Sequence, residues 1–132
     1  MSIRFVPLDV VLTIHADLLQ RYGGHGGLRD RNVLESALAQ PKMTTEGKFI
    51  HKTIFEKAAA YGYHLCKNHP FIDGNKRIAL VLMDIFLEGN GWEIVAREEQ
   101  AYSMMMDLAS GRLTKAQLAS WLKKHSSKLP RL

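Results

Sequence analysis

The stretch His69-Pro-Phe-Ile-Asp-Gly-Asn-Lys-Arg77 gathers in nine residues every group that a phosphate-handling site needs. Histidine titrates near neutrality, so His69 can take a proton from an attacking hydroxyl. Asp73 offers the oxygen ligand that a magnesium ion shared with phosphates requires. Gly74 and Asn75 stand where the chain enters a helix, so unpaired backbone N–H groups and the positive end of the helix dipole point outward together and form an anion site. Gly74 tolerates a backbone conformation that a β-carbon would resist. Lys76 and Arg77 add two donors at the same place, Arg77 with a planar fork suited to phosphate oxygens. The same residues also read as an ordinary interhelical turn, with Pro70 starting a bend and Asp-Gly-Asn as turn formers. On either reading Phe71 belongs to the core.

Helices must position these groups, because the chain shows 3.6-residue periodicity punctuated by Gly and Pro and almost no period-2 alternation. Leu8, Val11, Leu12, His15, Leu18, Leu19 and Tyr22 keep an i, i+3/i+4 rhythm after Pro7, until Gly23-Gly24 ends it. Asp30 is expected to cap a helix over Arg31 to Gln40 that Pro41 stops. Pro41 to Lys52 has no clean period and could hold a hairpin about Glu46-Gly47-Lys48. From Phe55 to about Asn68 the stripe Phe55, Ala58, Ala59, Gly62, Leu65, Cys66 is rich in small residues, which let a neighbouring helix approach closely. Asn75 to about Glu88 is apolar nearly all round, the pattern of a central buried helix. Asn90-Gly91 closes that helix, Trp92–Val95 reads as extended, and Arg97 to Ala109 is helical again. A Thr114/Gln117 capping box opens a last helix to about His125.

The chain has 132 residues, 46% of them hydrophobic and 23% charged, which predicts one packed domain over 1–132 and disfavours disorder. Its longest apolar run, Ile78–Met83, falls far short of the roughly 18 residues of a membrane span, and no signal-peptide pattern follows Met1; we expect a cytoplasmic protein with no membrane partner. Cys66 is the single cysteine, so no internal disulfide forms. Cys66-Lys-Asn-His69 has metal-like spacing but no second pair to complete a zinc site. The net charge of +5 comes from the end of the chain, where residues 112–132 carry Arg112, Lys115, Lys123, Lys124, Lys128 and Arg131 and no acid. That division reads as a solvated basic face and tail, or as a surface for an acidic partner. Direct nucleic-acid binding is not expected. No G-x-x-x-x-G-K-[ST] occurs and Gly23–Gly27 lacks the third glycine of G-x-G-x-x-G, so any nucleotide must be held at the start of the helix alone. His15, on an apolar face, reads as a core or supporting histidine; His25, His51 and His125 lie in polar contexts. Met104–Met106 reads as core or as a pliable surface.

The nine residues HPFIDGNKR resemble the signature of the Fic/Doc family, H-x-F-x-(D/E)-G-N-(G/K)-R at a loop-to-helix junction. The likeness extends through His15, Tyr22-Gly-Gly, Gly27-Leu-Arg-Asp30, Leu34–Leu38 with Pro41, Ala58–Tyr61, His64-Leu65, Phe86-Leu87 and Asn90-Gly91, and is greatest to the death-on-curing (Doc) branch, the short toxins of toxin–antitoxin modules. It implies an all-α, Fic-type helical bundle with a central buried helix and a short β-hairpin flap. By the same resemblance His69 would be the general base, Asp73 the Mg2+ ligand, Gly74 and Asn75 the anion-holding turn, and Arg77 a phosphate clamp.

Most family members transfer AMP from ATP to a protein hydroxyl, and this chain departs from them twice. They carry Gly where Lys76 stands and a second Arg where Leu80 stands. A lysine in the nest crowds one phosphate position, and the missing guanidinium removes a clamp for another. Doc toxins, which share the lysine, are kinases that place the ATP γ-phosphate on a threonine of elongation factor Tu and arrest translation; the resemblance implies that activity. It also implies a cognate antitoxin, because no [S/T]-x-x-x-E-[G/N] inhibitory motif is present: Lys42 and Asp84 stand four places before Glu46-Gly47 and Glu88-Gly89. AMP transfer, and a non-catalytic binding module resting on the basic tail, are the alternatives.

Overall fold

The computed structural model describes residues 2–130; Met1, Arg131 and Leu132 lie outside it, as does that part of the basic tail. Among these residues six helices pack with two small strand pairs, which agrees with the expected mostly helical class. The helices are α1 (Leu8–Tyr22), α2 (Arg31–Ala39), α3 (Ile54–Asn68), α4 (Asn75–Gly89), α5 (Glu98–Ala109) and α6 (Lys115–Lys124). Among the described residues no helix is long and apolar enough to cross a membrane.

Helix ends follow the local chemistry. Asp30 accepts from the Val33 N–H and Thr53 from the Glu56 N–H, while Thr114 and Gln117 form the reciprocal capping box at α6. Pro41 does not end the second helix outright, since the chain tightens into a 3-10 turn over Gln40–Lys42, where proline lacks only an N–H that the first turn leaves unused.

The closest packing joins α3 to α4. A β-carbon on Gly62 would overlap the Met83 sulfur, so the glycine lets α4 come close. Beside it the Tyr61 and Phe86 rings meet with centroids 5.2 Å apart. The apolar sequence of α4 pointed to that helix as the centre; instead α3 takes the place, packed against α2, α4, α5 and α6, with Ala58 to Gly62 buried one after another. Leu80, Val81 and Ile85 of α4 stay only partly buried. A single continuous apolar core results, which Phe71 joins at 2% exposure.

The irregular segment after α2 does form a hairpin. Strands β1 (Thr44–Thr45) and β2 (Lys48–Phe49) pair antiparallel, and Glu46 and Gly47 both have positive φ, as a two-residue turn matched to strand twist needs. A second pair was not foreseen. Strand β3 (Trp92–Ile94) meets β4 (Ser126–Lys128), so the basic end of the chain is partly ordered by backbone pairing rather than left as a solvated tail. The extended N-terminus is held at the same end, where the Asn90 side chain bonds both backbone groups of Arg4 and the buried Tyr61 hydroxyl accepts from the Val6 N–H. Burial pushes the Tyr61 hydroxyl up to about 12, so it stays neutral.

Candidate active site

The chemistry-bearing loop runs from the C-terminus of α3 to the N-terminus of α4. Gly74 precedes α4 in the left-handed region (φ 78°) and supplies no side-chain cap. The first helical bond runs from the Ile78 N–H to the Gly74 carbonyl, which leaves the N–H groups of Asn75, Lys76 and Arg77 to face outward. These are the backbone groups that the anion nest expected from the sequence would use. Asn75 contributes only through its backbone: its buried amide accepts from the Phe71 N–H at 3.0 Å and donates to the Phe71 carbonyl at 2.9 Å. That clasp holds the loop in a fixed curve. Lys76 and Arg77 are exposed, with the Arg77 guanidinium 4.6 Å over the exposed Tyr22 ring at the end of α1.

Asp73 is exposed, and its carboxylate accepts from the Gly74 N–H at 2.8 Å and, more weakly, from the His25 N–H at 3.4 Å. These backbone donors, Gly74 first, hold its pKa below the usual carboxylate value, so it is ionised at neutral pH. Each carboxylate oxygen keeps a free lone pair beside the nest. No cluster of three or more acidic, histidine or cysteine ligands occurs among the described residues. One ionised carboxylate next to unpaired backbone N–H groups is a donor set that would fit magnesium, which takes one or two carboxylates together with phosphates and water.

Helix α1 and the glycine turn form the wall behind the loop. His15 is 4% exposed, stacks on Phe71 with ring centroids 3.6 Å apart, and hydrogen-bonds the Asp73 carbonyl through Nε2 at 2.8 Å. It is a supporting residue, as its apolar face suggested. A β-carbon on Gly24 would lie 2.7 Å from an Asp73 carboxylate oxygen, which explains a glycine there at φ 121°. Leu28 and Phe71 form an isolated antiparallel bridge, and the Pro70 carbonyl accepts from the N–H groups of both Arg29 and Asp30.

Arg29 was missed as a site residue. Its guanidinium donates from Nε to the His69 carbonyl and from Nη2 to the Asn68 carbonyl, clamping the end of α3 where His69 turns left-handed (φ 47°, ψ 59°). The only available signal was its place in Gly27-Leu-Arg-Asp30, and periodicity cannot show that a turn forty residues upstream reaches the motif. His69, Asp73, Lys76 and Arg77 thus share one exposed surface. A concavity of about 310 Å³ between α5 and α6, lined by Trp121 and His125, lies away from the motif.

A family model described as the Fic/DOC family matches residues 5–87. The chain belongs to this family. Among curated relatives, a protein named Toxin Doc from Mycolicibacterium smegmatis is 34% identical over 91 residues, 67% of this chain and 70% of that protein. One named Protein kinase doc from Escherichia phage P1 is 26% identical over 121 residues, 92% of this chain and 94% of that protein. The matched region spans the Fic/DOC signature together with α1 and the glycine turn that brace it.

Proposed function

We propose that this chain is a Doc-like toxin: a protein kinase that transfers the ATP γ-phosphate to a hydroxyl, expected to be a threonine, of a translation factor such as elongation factor Tu, and so arrests translation in the cytoplasm. The observation that carries the reading is the pair Lys76 and Leu80. Lys76 projects from the first turn of α4 beside the free N–H groups, whereas Leu80, where AMP-transferring members carry an arginine, packs against the core. One phosphate position is crowded and another has lost its clamp, which disfavours the triphosphate pose of AMP transfer. The names of the two relatives, a toxin and a kinase, point the same way.

In this reading the N–H groups of Asn75, Lys76 and Arg77 and the Arg77 fork hold phosphate oxygens. His69 takes the proton of the target hydroxyl as its oxygen bonds to the γ-phosphorus, and the bond from that phosphorus to the β–γ bridging oxygen breaks to release ADP. Magnesium held by Asp73 would offset charge on the phosphates. The exposed hairpin β1–β2 docks the hydroxyl-bearing segment by backbone pairing.

Silencing comes from an antitoxin segment that folds against the chain, steered by Lys123, Lys124 and Lys128, which remain exposed. Arg112 and Lys115 drop out of that surface: Arg112 pairs with Asp107 at 3.2 Å, and Lys115 is partly buried with its Nζ 3.2 Å from His64 Nε2. Incubation with cell extract and ATP labelled at the α or γ position tests the reaction. Label entering protein from γ-ATP alone is expected; label from α-ATP alone would restore the AMP-transferase. Growth arrest on expression alone, relieved by co-expressing the neighbouring gene, tests the toxin role.

A further inference from the structure

His69 adopts a conformation that its own sequence opposes. A residue with a β-carbon rarely occupies the left-handed region, and the residue before a proline is steered towards extended backbone. His69 meets both conditions, with Pro70 after it, yet its φ is 47° and its ψ 59°. Something distant must hold it there.

The side-chain hydrogen bonds to the His69 and Asn68 carbonyls come from Arg29. Arg29, on the glycine-rich turn between α1 and α2, spans the end of α3 with its planar fork, Nε on the His69 carbonyl and Nη2 on the Asn68 carbonyl. A planar guanidinium meets the two carbonyls with two donors of fixed direction, a constraint that the freely rotating donors of an ammonium do not impose. The turn that carries Arg29 is itself fixed by backbone bonds to Pro70 and by the Leu28–Phe71 bridge, so the fork is presented from a rigid base. The phosphate nest is braced by other groups, His15 on the Asp73 carbonyl and Asn75 on Phe71, neither of which hydrogen-bonds Arg29.

We infer that Arg29 is a positioning residue for the general base: its fork locks His69 in the left-handed conformation and so sets the direction of the imidazole, without contributing to nucleotide binding. The inference rests on the kinase reading for its kinetic consequence but not for its structural one. Without the fork, His69 relaxes towards the extended backbone that Pro70 favours, and the base is displaced while the nest is untouched. Misplacement of a catalytic group by about 1 Å costs on the order of 100-fold.

The test compares wild type, Arg29→Met and Arg29→Lys in two measurements. The first is the set of backbone chemical shifts of His69, which report φ and ψ directly. The second is label transfer from γ-labelled ATP to extract proteins as ATP is varied. Arg29→Met is expected to move the His69 shifts out of the left-handed range, to lower kcat on the order of 10–100-fold and to leave KM for ATP within about twofold. Arg29→Lys, which keeps the charge but loses the planar fork, falls between. Unchanged His69 shifts in Arg29→Met would overturn the inference, because the Pro70 backbone bonds would then suffice. Shifted His69 signals with an undiminished kcat, or a loss carried by KM, would overturn it as well. If wild type transfers no label, the kinase reading fails and the shifts alone decide whether Arg29 holds His69.

Discussion

The two ends of α3 treat their polar groups in opposite ways. At the N-terminal end Lys57 is 2% exposed, with Nζ donating to the His51 carbonyl at 2.7 Å and to the Lys52 carbonyl at 3.2 Å and lying 4.3 Å over the Phe49 ring. His51 beside it is buried, contrary to its polar sequence context, and its Nδ1 has no partner. Burial first, and for His51 also the nearby Lys115, push both groups towards their neutral forms. At the C-terminal end His69, Asp73, Lys76 and Arg77 all stand in solvent. There the resolved shift, on Asp73, comes from hydrogen bonds that favour the charged form. Polar groups turned inward serve the fold, tying the hairpin to the core. Those turned outward on a braced loop are free for chemistry. Substitutions at the two ends should therefore separate activity from stability.

The largest effect belongs to the outward end. His69→Ala should lower label transfer on the order of 10²–10⁴-fold with an unchanged melting temperature, because no core contact is lost. Retained transfer would remove His69 as the base. At the inward end Lys57→Met should cost about 1–3 kcal/mol in urea unfolding, since two carbonyls lose their donor. Unaltered stability would show that the tie is idle.

The flank of α3 that faces α6 carries a pH dependence. Burial first, then Lys115, lower the His64 pKa to about 4 from 6.5. Between pH 6.5 and 4 the unfolded chain binds a proton that the folded chain refuses, so this group removes stability as pH falls through that window and none above it. Discounted for partial exposure, the loss is about 2 kcal/mol. His64→Gln should flatten that part of the stability profile, and parallel profiles would refute the assignment.

Smaller effects are expected at the surface. Replacing Thr44–Lys48 with a Gly/Ser linker should lower target modification several-fold and leave ATP affinity alone, and equal losses would count against docking. Changing Lys123, Lys124 and Lys128 to Glu should weaken antitoxin rescue modestly, as exposed charges do. Undiminished rescue would take those lysines out of the interface.

Local pattern was enough to find the helices, the Asp30 and Thr114 caps, the glycine-permitted α3–α4 contact, the hairpin and the nine motif residues, because periodicity, capping and turn chemistry act over a few neighbouring positions. It failed where partners are far apart in the chain. The fork of Arg29 on His69, the hydrogen bond of His15 to the Asp73 carbonyl, the room that Gly24 leaves for Asp73, and the pairing of β3 with β4 each join segments that no local rule connects. The motif could be read as a nest with a base beside it. Only the packed chain decided that Asn75 clasps the loop instead of a ligand, and that the base is held against its own backbone preference, because such strain persists only where distant contacts over-determine it.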